Sequence, residues 1–167
     1  MSKVGFVGLG IMGTPMAGHL LAAGHELCVF DLRPPAQALV DQGAVVCASA
    51  KEVAQRSELV ITMVPDTPHV AAALFAANGV AEGLSPGKIV VDMSSISPVE
   101  TKAFAQRINA LGCAYLDAPV SGGEVGANRR HADKITEFHE MIPPIRATRP
   151  GAKRRVVSLA GLRILGG

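Results

Sequence analysis

Residues 3–21, KVGFVGLGIMGTPMAGHLL, admit few folds. The stretch opens with apolar, β-leaning residues (Val4, Phe6, Val7) and runs into Gly8, Gly10 and Gly13, spaced Gly-x-Gly-x-x-Gly. A helix-like run follows, with Met16, Ala17, Leu20 and Leu21 on one face. A strand that turns on glycine straight into a helix aims the helix's unpaired amides and positive dipole end at one spot, where a phosphate can sit. Each glycine has its own reason. The first permits the tight turn, the second lets a diphosphate approach the backbone, and the third lets helix and strand pack closely. Pro15 is tolerated because the first helical turn has no intrahelical acceptor to lose.

In a chain with 18 glycines the same spacing also describes an ordinary strand-to-helix turn. The next element narrows the choice. Residues 26–30, ELCVF, read as a second strand that ends at Asp31. A carboxylate about 20 residues past the glycine turn can accept from the ribose hydroxyls of a dinucleotide. Asp31 favours the free 2′-hydroxyl of NAD, whereas Arg33 offers a partner for the 2′-phosphate of NADP. The expected cofactor is NAD, with NADP as the alternative.

Beyond Asp31 the pattern repeats. A helix is expected over 34–42, with proline at its entry and Gly43 as its stop, then a short strand over 44–47. Ser49 is expected to cap a helix through Arg56, with Glu52 completing a capping box. Residues 59–64, LVITMV, form a continuous apolar run, as a buried parallel strand does. Thr67 is expected to cap the next helix, through about Ala77, and residues 79–87 to form loop or a short helical turn. Residues 88–92 (KIVVD) and 113–117 (CAYLD) are the fifth and sixth strands, flanking a helix that opens at Pro98 and runs to about Leu111. Twofold repetition of βαβαβ with right-handed crossovers predicts an α/β fold, a doubly wound parallel sheet of the Rossmann type in the order 3-2-1-4-5-6. Ligands then lie beyond the carboxyl ends of the strands.

Composition agrees and excludes some classes. Hydrophobic residues make up 49% and aromatic residues 4%, so small aliphatics do the packing. No uncharged apolar run approaches the ~18 residues of a membrane span. Lys3, the apolar stretch after it and Ala22–Ala23 imitate a secretory signal, but the glycine density makes a poor helical core for one. Cys28, Cys47 and Cys113 are far apart in sequence and odd in number, which fits buried free thiols in a reducing cytoplasm rather than a disulfide framework or a zinc site. Charge is uneven. Residues 1–127 hold 7 Lys+Arg against 11 Asp+Glu, and residues 128–167 hold 9 against 3. From Asn128 the periodicity also disappears. Expected domains are therefore a dinucleotide-binding unit over 1–127 and a divergent basic tail over 128–167, frameshifted or disordered. The tail's basic residues show no aromatic interleaving and no nucleic-acid module.

The opening GFVGLGIMGTPMAGHLL, the segments ITMVPDTPHV and VDMSSISP, and DAPVSGG at 117–123 together resemble the β-hydroxyacid dehydrogenase family over about residues 3–127. The resemblance implies hydride transfer between a nicotinamide cofactor and a small hydroxyacid or its semialdehyde. It implies that Gly8, Gly10, Ile11, Met12 and Gly13 hold the pyrophosphate and that Asp31 binds the adenosine ribose. Val64 and Pro65 would line the cleft, with Ser95 near the nicotinamide. Ser121, Gly122 and Gly123 would bind the substrate's carboxylate or hydroxyl. Family members continue into a helix bearing a catalytic lysine, then an all-helical domain that also forms the oligomer. No GxxGxxxKxxN segment occurs here, Lys134 and Lys153 lie in other contexts, and the expected lysine would fall beyond Gly167. His19 departs from the family's asparagine. The expectation is a cofactor domain without the helical domain or its interface, and poorly active alone.

Overall fold

The computed structural model describes residues 2–120. Six parallel strands alternate with helices: β1 (Lys3–Val7), α1 (Gly13–Ala22), β2 (Glu26–Phe30), α2 (Gln37–Asp41), β3 (Val45–Val46), α3 (Ala50–Arg56), β4 (Leu59–Thr62), α4 (Thr67–Phe75), α5 (Val80–Gly83), β5 (Ile89–Asp92), α6 (Pro98–Ala110) and β6 (Ala114–Asp117). The sheet order is β3-β2-β1-β4-β5-β6, as the repeated βαβ pattern predicts. The order reverses between β1 and β4, whose register pairs Val4 with Leu59 and Val7 with Thr62.

Both faces of the sheet are covered. Phe6, Val29, Ile61 and Val91 pack with Met16, Ala17 and Leu20 of α1 and Leu39 of α2 on one face. Val60, Val90 and Tyr115 pack with Val53 of α3, Val70 and Leu74 of α4, and Phe104 and Ile108 of α6 on the other. This two-sided burial explains why β4 reads as an unbroken apolar run, since all four of its residues are buried. Among the described residues, no helix is long and apolar enough to cross a membrane.

Several boundaries differ from those expected, each for a local reason. The helix expected over 34–42 starts only at Gln37, because the Pro34–Pro35 pair favours extended backbone and Ala36 carries that conformation to the N-cap (ψ 131°). Its stop is as expected, with Gly43 at φ +104° donating to the Val40 carbonyl. The strand expected over 44–47 shrinks to two residues at the sheet's rim, where among the described residues it pairs with β2 alone. Asp66, not Thr67, caps α4. Its carboxylate accepts from the His69 amide, while the Thr67 hydroxyl accepts from the amide of Ser97 across the sheet edge. Ser49 caps α3 as expected, but Glu52 reaches the amide of Ala48, one residue before the cap, and pairs with Arg56. Cys28 and Cys47 are free thiols, and burial pushes Cys47 up to about 12. Ser121, Gly122, Gly123 and the 127/128 boundary lie outside the described residues.

Candidate functional site

The carboxyl ends of the strands converge on one edge of the sheet, and the glycine turn sits at its middle. Gly8 has φ +99°, and its amide donates to the Phe30 carbonyl at 3.0 Å. A Cβ on Gly8 would stand 2.2 Å from the Met63 carbonyl oxygen, so this residue is wedged between the ends of β2 and β4. A Cβ on Gly13 would stand 1.9 Å from the Gly8 carbonyl oxygen, so α1 begins directly against the turn. Gly10 is different. Nothing lies within 4 Å of where its Cβ would be. Packing therefore demands two of the glycines, and the third keeps a space open.

Unpaired donors cluster in the same turn. The Thr14 amide is taken by the Gly10 carbonyl at 3.0 Å, and the Thr14 hydroxyl donates to the Leu9 carbonyl at 2.8 Å. The amides of Gly10, Ile11 and Met12 find no acceptor among the described residues. Met12, at the N-cap of α1, gives no side-chain cap, and the first turn carries no acidic residue. Ser49 and Asp66 do cap α3 and α4. An anion of phosphate size would meet the orphan donors and the positive dipole end of α1. Ile11 is exposed, and Met12 lies partly against the core.

Asp31 reaches back to this loop across 22 residues of sequence. Its Oδ2 accepts from the Leu9 amide at 2.6 Å and its Oδ1 from the Arg33 amide at 2.8 Å. The Asp31 side chain is 14% exposed, whereas that of Arg33 is 77% exposed with Nε 3.8 Å from Oδ1. Each carboxylate oxygen keeps capacity for another donor, such as a ribose hydroxyl. The structure thus brings Asp31 and the glycine turn together in one unit.

A second polar group lies at the other half of the edge, and sequence reasoning missed it. Asp92, at the end of β5, is fully buried. Its Oδ1 accepts from the Thr62 hydroxyl at 2.9 Å and the Ser94 amide at 3.1 Å, and its Oδ2 from the Tyr115 hydroxyl at 3.0 Å. The Ser94 hydroxyl in turn accepts from the Val64 amide at 3.0 Å. This chain ties the ends of β4 and β5 to Tyr115 within β6 and fixes the loops carrying Val64, Pro65 and Ser95, of which Pro65 and Ser95 are exposed. Burial and then the charge of Asp92 raise the Tyr115 hydroxyl and the Asp117 carboxyl above their ordinary ranges. The available signal was a carboxylate inside an otherwise apolar buried strand, a placement that requires partners. Among the described residues, no group of three His, Cys, Asp or Glu side chains could hold a metal ion.

Comparison with known proteins converges on the same reading. Residues 3–133 match the family described as the NAD binding domain of 6-phosphogluconate dehydrogenase. The chain is 55% identical over 125 residues to 2-hydroxy-3-oxopropionate reductase of Escherichia coli (strain K12), a match covering 75% of this chain and 43% of that protein. Among solved structures, 3-hydroxyisobutyrate dehydrogenase of Mycobacterium tuberculosis with L-serine superposes with a TM-score of 0.71 at 35% identity, covering 77% of this chain and 43% of that one. A structure described as Psf3 in complex with NADP+ and 2-OPP superposes with a TM-score of 0.72 at 28% identity, covering 81% and 52%. The chain thus spans less than half the length of the reductase and the dehydrogenase it matches. It belongs to the β-hydroxyacid dehydrogenase family, through the NAD-binding domain that family shares with 6-phosphogluconate dehydrogenase.

Proposed function

We propose that residues 1–127 form the cofactor domain of a cytoplasmic reductase that passes hydride between a nicotinamide and a small β-hydroxyacid or its semialdehyde. The observation that carries this reading is the uncapped start of α1, where the amides of Gly10, Ile11 and Met12 are unpaired among the described residues and Gly10 has open space at its Cβ position, with Asp31 bound to the same loop. In this reading the amides of Gly10, Ile11 and Met12 hold the diphosphate, with Gly8 and Gly13 shaping the turn. Asp31 takes the ribose, beside Arg33. Val64 and Pro65 wall the cleft, and Ser95 orients the nicotinamide. Ser121, Gly122 and Gly123 offer a hydroxyl and side-chain-free amides to the substrate's carboxylate. The bound nicotinamide supplies the hydride chemistry, and the protein's part is to bind and orient.

The reaction we favour is that of 2-hydroxy-3-oxopropionate reductase, on the strength of 55% identity to the Escherichia coli enzyme. The runner-up is 3-hydroxyisobutyrate oxidation, favoured by the fold match to the Mycobacterium tuberculosis enzyme. NAD is preferred over NADP because the Asp31 carboxylate is held in place by two amides and would repel a 2′-phosphate. Calorimetry of the full 167-residue chain with NADH and NADPH tests the cofactor reading. Heat with NADH, and less with NADPH, is expected. Silence with both, from a demonstrably folded sample, overturns it.

A further inference from the structure

Asp92 does more than join three strands. It is fully enclosed, and three donors surround its two oxygens: the hydroxyls of Thr62 and Tyr115 and the amide of Ser94. A ring of donors fits the carboxylate anion. Among the described residues no Lys, Arg or His forms an ion pair with it. A charge enclosed this way is screened far less than a surface one, so its field reaches neighbouring sites. Tyr115 and Asp117 both respond to it. The Ser94 amide sits on Oδ1, the Ser94 hydroxyl holds the Val64 amide, and Ser95 follows at the exposed rim. The charge therefore lies directly beneath the loops that the cofactor reading gives to the nicotinamide half.

Building on that reading, we propose that the buried Asp92 carboxylate biases this half of the crevice toward the oxidised cofactor. The nicotinamide ring of NAD+ carries a positive charge and that of NADH carries none, so a fixed negative charge nearby stabilises the first and not the second. Asp92 touches neither ring nor substrate; it acts through its field and through the loops it positions.

The test compares the full chain with Asp92→Asn, which keeps the shape and removes the charge. Dissociation constants for NAD+, NADH and ADP-ribose are measured by calorimetry. The ratio Kd(NAD+)/Kd(NADH) is expected to rise about threefold to tenfold in the variant. ADP-ribose, which lacks the ring, should bind as before. Equal weakening of NAD+ and NADH would mean that Asp92 only shapes the strand ends, and would overturn the proposal. Tyr115→Phe removes one donor and leaves the charge, so its ratio should stay level or move toward NAD+. A shift of Tyr115→Phe in the direction expected for Asp92→Asn would also overturn it, which keeps the test decisive if Asp92→Asn fails to fold. Failure of the wild-type chain to bind any of the three ligands would instead sink the underlying cofactor reading.

Discussion

The two halves of the sheet's functional edge solve opposite problems. At the β1–β2 half, polar groups are left without partners: three amides at the start of α1 find no acceptor among the described residues, and no side chain caps the helix. At the β4–β6 half Thr62, Asp92, Ser94 and Tyr115 each find partners inside the protein. Unsatisfied donors are tolerable where a ligand or water completes them, and costly where burial excludes both. The first half is therefore shaped to receive something, and the second is shaped to hold still.

The sharpest way to break this contrast is at the glycines, because they separate folding from binding. Gly13→Ala drives a methyl against the Gly8 carbonyl, with 1.9 Å available where real contacts need more than 3 Å. A loss of about 3 kcal/mol or more is expected, visible as a thermal midpoint lowered by about 10 °C or as insoluble protein. Gly10→Ala meets nothing within 4 Å and should melt like wild type. Its NADH affinity should nonetheless fall by about tenfold or more, since the methyl fills the space a diphosphate would enter. Equal melting and equal binding in Gly10→Ala would show that the open space is incidental.

These same residues explain what the sequence disclosed. The glycine turn was legible because its parts are adjacent in the chain and each glycine has a separate steric reason. Strand order followed from the repeated βαβ pattern, which leaves few right-handed solutions. The Asp92 group stayed hidden because Thr62, Asp92 and Tyr115 are 30 and 23 residues apart and meet only through strand register. The cap of α4 was misassigned for a related reason. Asp66 and Thr67 are both good caps, and the choice is made by Ser97, whose amide engages the Thr67 hydroxyl from 30 residues away. Local chemistry reads directly from a chain, whereas pairings across strands need the fold first.

Asp31 lies between these extremes, and its variants sharpen the comparison. If it served the ribose alone, its loss would leave pyrophosphate binding untouched. Because its carboxylate also holds the Leu9 amide, Asp31→Ala frees the glycine loop. NADH affinity should drop about 10- to 100-fold, and inorganic pyrophosphate, which has no ribose, should weaken as well in the same calorimetric assay. Unchanged pyrophosphate affinity would reduce Asp31 to a ribose ligand.

Away from the edge, Ser49→Ala removes the acceptor for the Glu52 amide at the start of α3. It should cost about 1 kcal/mol in urea unfolding without altering NADH binding, since among the described residues the Ser49 side chain serves only the Glu52 amide of its own helix. A change in cofactor affinity here would mean that the two kinds of helix start are not separate in function.

The smallest effect belongs to Asp117, and pH isolates it. Burial and the neighbouring charge of Asp92 raise its carboxyl above the ordinary value, so the folded state holds this proton more tightly than the unfolded chain does. Stability is therefore lost as pH rises from the unfolded value through the folded one, and the penalty stays in place above it. Asp117→Asn removes that penalty. The variant should melt about 1–3 °C above wild type at neutral pH, and the gap should close below about pH 4, where wild-type Asp117 is protonated in both states. In an Asp92→Asn background the gap at neutral pH should narrow, because part of the tension comes from the Asp92 charge. A gap that ignores Asp92 would leave desolvation as the whole cause, and the half of the edge that holds still would then carry less internal strain than its two neighbouring carboxylates imply.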